Sequence, residues 1–207
     1  MSSTLVRGGT IVTDAGRCEG DVYVDGGVIA EIGPGITRPA DVTVDAAGLL
    51  VLPGGVDAHT HLDMPLEDMT SADDFESGTI AAAHGGTTTI VDFATQEAGQ
   101  GLYRALDAWM GRAEGKAVVD FAFHMIVREL TDQVASDMRA LVRHEGVTSF
   151  KFFMAYPGVL MVDDATILRA LTLSRENGAL ISVHAEMGGE IEALVRDALR
   201  QGHTAPK

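Results

Sequence analysis

From residue 49 the chain alternates between apolar runs of strand length and amphipathic stretches of helix length. This rhythm restricts the fold more than any other feature. The runs are "GLLVLPGGVDAH", "TTTIVDFAT", "AVVDFAFHMIV", "TSFKFFMAY" and "ALISVHAE". Between them lie "DDFESGTIAAAHGG", "LYRALDAWMGRAEG", "QVASDMRALVRHEG" and "DDATILRALTLSRENG". A strand covered on both faces needs apolar side chains at successive positions rather than at alternate ones. Strands that alternate with helices imply a parallel sheet, either doubly wound or curled into a barrel. Glycines end the helical stretches in "RAEG", "RHEG", "RENG" and at Gly85-Gly86, while "SADDF" and "VDDAT" supply caps and acidic first turns.

Residues 1–52 read differently. "TLVRGGTIVT", "GDVYVDGGVIAEIG" and "DVTVDAAG" are short alternating segments broken by glycine, with "DGG" the clearest hairpin signal. They predict a small antiparallel β unit, followed over residues 53–207 by about five strand–helix units. A closed eight-stranded barrel takes about 250 residues, so a barrel begun at Pro53 is expected to be incomplete at Lys207.

The formal net charge of -15 disfavours nucleic acid and anionic membrane surfaces, which call for basic patches. Cys18 is the only cysteine, which excludes an internal disulfide and fits a reducing compartment. No signal-peptide pattern opens the chain, and no apolar run reaches the ~20 residues of a membrane helix. A cytoplasmic location is the expectation.

Chemistry concentrates in three places. In "GGVDAHTHLDMP", His59 and His61 flank Thr60, and side-chain alternation puts both imidazoles on one face at the end of a strand. Two such rings suit a divalent cation, or they serve only as hydrogen-bonding polar groups. In "TSFKFFMAYPG", Lys151 interrupts an apolar run, sharing a face with Phe153 while Phe150, Phe152 and Met154 take the other. Such a lysine either snorkels to the sheet edge or becomes a nucleophilic amine of lowered pKa. That amine can take up carbon dioxide as a carbamate, an anionic ligand able to bridge two cations. In "ISVHAEMGG", His184 sits at the end of the fifth run. Asp63 is placed to hydrogen-bond a ligand imidazole or to line the pocket, while Asp57 and Asp92 read as structural. His84 and His144 fit helix C-termini, His124 is second-layer or core, and His203 lies in the terminal stretch.

Taken together, "PGGVDAHTHLDMP", "SFKFFMAYPGVLMVDD" and "GALISVHAEMGG" resemble the cyclic amidohydrolases, specifically the dihydropyrimidinase and D-hydantoinase branch. The resemblance implies a (β/α)8 barrel beside a small β-sandwich built from both chain ends. It implies two Zn2+ per subunit, bridged by N6-carboxylated Lys151 and a hydroxide, with His59 and His61 on the first ion and His184 on the second. Tyr156 would hydrogen-bond the substrate carbonyl and its tetrahedral intermediate, and Met64, Leu66, Phe153 and Leu160 would surround the ring substituent. The implied reaction is the opening of a small neutral cyclic amide or imide, a 5,6-dihydropyrimidine or a 5-substituted hydantoin, by the metal-bound hydroxide. A homotetramer is implied for the whole enzyme.

The remaining ligands and the proton shuttle of this family lie on later strands. The chain is therefore expected to be an N-terminal fragment, inactive and poorly soluble alone. "HAEMGG" and "MAYPG" depart from the family's usual "HAENG" and "MAYKG", which bears on substrate preference more than on metal binding. Dihydroorotase and allantoinase are the enzymatic alternatives; Asp63-Met64-Pro65 would repel the carboxylate that dihydroorotase pairs with an arginine. A non-catalytic scaffold on the same fold is a further alternative, disfavoured because His59, His61, Lys151 and His184 are all retained.

Overall fold

The computed structural model describes residues 2–66 and 68–205. The chain divides into two compact units, Met1–Gly54 and Gly55–Lys207. Among the described residues no helix is long and apolar enough to cross a membrane.

The first unit is built on a long strand, β1 (Ser3–Thr13). It pairs antiparallel with β2 (Gly16–Asp25), which pairs antiparallel with β3 (Val28–Gly33). The β2–β3 turn is Gly26-Gly27, both at positive φ (60° and 82°). A two-residue hairpin of this twist demands that conformation, and glycine adopts it without a Cβ clash. β4 (Val42–Asp45) and β5 (Leu50–Val51) then join β1 in parallel. The expected hairpins form, and the sheet they begin is mixed rather than antiparallel throughout. Asp21 is buried, and its carboxylate accepts the Gly8 and Ile36 backbone N–H groups at 2.8 and 2.9 Å. These charge-assisted bonds hold its carboxyl below the usual range, with the Gly8 bond the largest cause and burial opposing it.

In the second unit, β6 (Gly55–Asp57) opens a parallel sheet. A short hairpin follows, β7 (Pro65–Leu66) and β8 (Met69–Thr70), then α1 (Phe75–His84) and β9 (Thr87–Thr95). Next come α2 (Leu102–Ala113), β10 (Asp120–Ile126) and α3 (Asp132–Ala140), which ends in one wide π-turn over Leu141–Glu145. β11 (Ser149–Phe153), α4 (Asp164–Asn177), β12 (Leu180–His184) and α5 (Gly188–Arg200) complete it. The caps lie where the sequence puts them: Asp74 accepts Ser77 N–H at 2.9 Å and Asp163 accepts Thr166 N–H at 2.8 Å.

One further sequence expectation changes. "GLLVLPGGVDAH" is not one strand: Leu50–Val51 belongs to the first unit and Gly55–Asp57 to the second. Pro53 has no N–H for a sheet ladder, and the glycines after it weaken strand pairing. Beyond "HAEMGG", α5 supplies the helix of the fifth expected strand–helix unit. α5 buries none of its residues, and Leu194 and Leu199 are exposed on it.

The strand order β6-β9-β10-β11-β12 decides between the two parallel architectures. A doubly wound sheet reverses its order and places helices on both faces. Here every step moves the same way, and right-handed crossovers therefore put all the helices on one face. That is the wall of a barrel. The helix-side face carries Ile90, Ala94, Phe123, Met125, Phe150 and Phe152, all at most 5% exposed, packed with Leu102, Trp109, Met138 and Leu141. The other face carries the chemistry.

Candidate active site at the strand ends

Register identifies the residues that share the inner face. Phe93 pairs with His124, Lys151 with Ser182, and Phe153 with His184. Side chains paired across neighbouring strands stand on the same side of a sheet. Lys151, Phe153 and His184 therefore face the barrel interior, as alternation from Phe150 and Phe152 requires.

His59 and His61 lie just past β6, outside the strand itself. They still share a side, because the segment is held in extended form from beneath. Asp92, on the helix-side face of β9 and 1% exposed, accepts the Thr60 hydroxyl at 2.9 Å and the Leu62 N–H at 2.7 Å. With Thr60 drawn towards the helices, its neighbours turn inward, and their ring centroids are 5.2 Å apart. Leu62 is seated against α1 at Gly78, where a Cβ would collide with its side chain.

Phe93 forms the floor under this pair. Its ring centroid lies 4.6 Å from His59, 5.0 Å from His61 and 4.9 Å from His124. His61 is open on its outer side, but this contact removes water from the other. Desolvation is the main cause that lowers its pKa; His59 and Lys151 act in the same direction and Asp92 opposes them. His61 is therefore biased towards the neutral imidazole, the form that binds cations.

A second group lies along β11 and β12. The His184 ring stacks on Phe153 at 5.6 Å and 18°, with Tyr156 5.9 Å from each. Lys151 Nζ is 5.3 Å from the Phe153 ring centroid, and its strand β11 lies next to the β12 strand of His184, on the side towards β6 and the histidine pair. His184 Nε2 contacts Glu186 Oε1 at 3.2 Å. Tyr156 is 53% exposed and has a left-handed backbone, φ 61°; Asp63, φ 49°, is the other non-glycine residue with positive φ among the described residues. Non-glycine residues held in this region cost free energy and cluster at working sites. Asp63 is anchored by Arg112, which donates to its carbonyl and pairs with its carboxylate at 3.6 Å. That pairing turns Asp63 towards α2 rather than to an imidazole, contrary to its expected hydrogen bond. Met64 is half-buried, its N–H bound to Ser71 Oγ at 2.9 Å, and Leu160 is half-buried with its N–H on Tyr156 O at 3.0 Å. The Leu66 side chain lies outside the described residues.

Among the described residues, no three His, Cys, Asp or Glu side chains are grouped closely enough to cage a cation by themselves. The donor set fits a pair of metals only if Lys151, whose strand β11 lies between β6 and β12 in the sheet order, becomes an anion. Phe93 and the Asp92 anchor were not assigned to the site from sequence, and His124 was left between a second-layer and a core reading. Asp92 and Phe93 stand in an ordinary strand pattern, and only pairing across strands reveals what they hold.

A singly wound parallel wall with imidazoles, a lysine and a tyrosine at its C-terminal strand ends is part of an α/β barrel, a fold whose sites are built at that rim. The Amidohydrolase family model matches residues 50–206, and the chain belongs to that family, within its dihydropyrimidinase and hydantoinase branch. The D-hydantoinase of Geobacillus stearothermophilus is 48% identical over 202 residues, covering 98% of this chain and 43% of that protein. The dihydropyrimidinase of Rattus norvegicus is 40% identical over 208 residues, covering 98% of this chain and 40% of its own. A D-hydantoinase crystal structure superposes with a TM-score of 0.94 at 46% identity, covering 99% of this chain and 44% of that one. The chain thus spans less than half the length of the relatives it matches.

Proposed function

We propose that this chain supplies the N-terminal half of a cyclic amidohydrolase site that opens small neutral cyclic amides or imides, 5,6-dihydropyrimidines or 5-substituted hydantoins. The observation that carries the reading is the position of Lys151 on the inner face of β11, which in the strand order lies between β6, after which His59 and His61 follow, and the β12 strand of His184. His59 and His61 would hold one Zn2+ and His184 a second, with Lys151 bridging them as its carbamate. Two such cations supply Lewis acidity and bring a water's pKa towards neutrality.

The other roles fall to the chain's own groups. Tyr156, exposed beside His184, offers its hydroxyl to the substrate carbonyl and stabilises the oxyanion that develops there. Phe153, Met64, Leu66 and Leu160 would form the apolar boundary that selects the ring substituent. Asp63, tied to Arg112, keeps the loop after His61 in place. The same anion, with Met64 beside it, disfavours a carboxylate-bearing substrate such as that of dihydroorotase. A cytoplasmic homotetramer completes the reading.

The test joins this chain to the remaining C-terminal part of the G. stearothermophilus D-hydantoinase. The fusion is expected to bind about two zinc ions per subunit and to open dihydrouracil or a 5-substituted hydantoin. A folded, zinc-loaded fusion that opens neither overturns the proposal.

A further inference from the structure

Residues 58–62 have no sheet ladder to hold them, yet hydrogen bonds fix the segment on both sides. His59 N–H reaches Asp57 Oδ1 at 3.1 Å and Thr60 N–H reaches Val91 O at 3.3 Å. From the helix side, the single oxygen Asp92 Oδ2 takes both the Thr60 hydroxyl and the Leu62 N–H. From the inner side, His124 Nε2 lies 3.0 Å from Ala58 O, and its Nδ1 meets the Ser149 hydroxyl. A carbonyl only accepts, so Nε2 carries the proton and Nδ1 of the neutral ring accepts from Ser149. His61 alone in the segment is left without such a tie through its backbone.

We infer that Asp92 and His124 are positioning residues, a two-sided clamp that turns His59 and His61 towards a shared divalent cation. The inference rests on the metal reading of those histidines. Asp92 has hydrogen-bond donors but no ion-pair partner among the described residues. A buried carboxylate that holds the backbone behind two imidazoles is the arrangement by which outer groups orient metal ligands. His124 sets the position of Ala58 and so the direction in which the chain leaves β6. Because His124 also bonds Ser149, two residues before Lys151, one ring joins the histidine segment to the strand that carries the lysine.

The test uses the fusion with the C-terminal part of the G. stearothermophilus D-hydantoinase, with zinc affinity read by competition against a chromophoric chelator and site geometry by the visible absorption of bound Co2+. Asp92→Asn, Thr60→Val and His124→Phe are each expected to weaken zinc about 10- to 100-fold, the range for groups that orient metal ligands, and to alter the Co2+ band. Thr60→Ser, which restores the hydroxyl, is expected to recover both readouts. Wild-type affinity in Asp92→Asn and Thr60→Val overturns the clamp. Should Asp92→Asn not fold, the Thr60→Val and Thr60→Ser pair decides it alone. If the wild-type fusion binds no zinc, or its His59→Ala and His61→Ala variants bind it normally, the metal reading fails and the clamp with it. That outcome differs from a clamp failure, in which the histidine variants alone lose the metal.

Discussion

The Asp137 carboxylate on α3 accepts the Leu102 backbone N–H at 2.9 Å and so caps α2, a helix to which it does not belong. The α2 N-cap is Gly101, which has no side chain to do this. Asp137 is 7% exposed, and its second oxygen accepts from Gln133 Nε2 at 2.8 Å. Asp137→Ala should cost about 1–3 kcal/mol, because it leaves a buried helix-start N–H without a partner. Urea unfolding checks this, and a loss below a few tenths would show the cap to be dispensable.

The two faces of β11 should respond differently to truncation. Phe152 is fully buried against the helices, and Phe152→Ala should destabilise by about 3–5 kcal/mol. Phe153 is half-buried on the inner face. Phe153→Ala should cost much less in unfolding and instead shift the preference of the fusion enzyme among hydantoin substituents. Equal losses of stability would refute the assignment of faces.

Acid should loosen the first unit through Asp21. Its folded pKa lies below the ordinary value of 3.8, so its stabilisation is fully present above that value and is lost as pH falls through the folded pKa. Asp21→Asn should therefore be less stable than the parent at pH 7, with the gap narrowing in the acid range below about pH 3.8. Denaturant unfolding at pH 7 and at low pH measures both.

Removing the lysine tests the bridge. Lys151→Ala in the fusion should lower zinc content from about two per subunit to one or less and abolish turnover. A small carboxylate such as acetate should restore part of both, since it can occupy the place of a carbamate. Full zinc content and turnover without Lys151 would remove it from the site.

Tyr156→Phe keeps the ring and removes the hydroxyl. If that hydroxyl serves the oxyanion, kcat should fall about 10²- to 10³-fold with KM little changed. A change confined to KM would make Tyr156 a binding group only.

Much of this was legible before any coordinates. Thr87–Thr95 is the strand that "TTTIVDFAT" spells out, and Asp74 and Asp163 cap the helices that follow them. These are local properties: apolar run length and capping chemistry depend on near neighbours in the chain. The motifs around His59, Lys151 and His184 were equally visible, because each is a polar interruption at the end of an apolar run.

The rest depended on contacts between distant residues. Whether the parallel sheet is doubly wound or a barrel wall rests on strand order, which no single strand encodes. That Asp92 and His124 grip the histidine segment, and that Phe93 floors it, follows from pairing across β9, β10 and β11. Local sequence thus determined which segments become strands and helices and which of them carry reactive groups. Tertiary structure decided which groups face one another, because the facing partners are set by register and crossover direction rather than by neighbours along the chain.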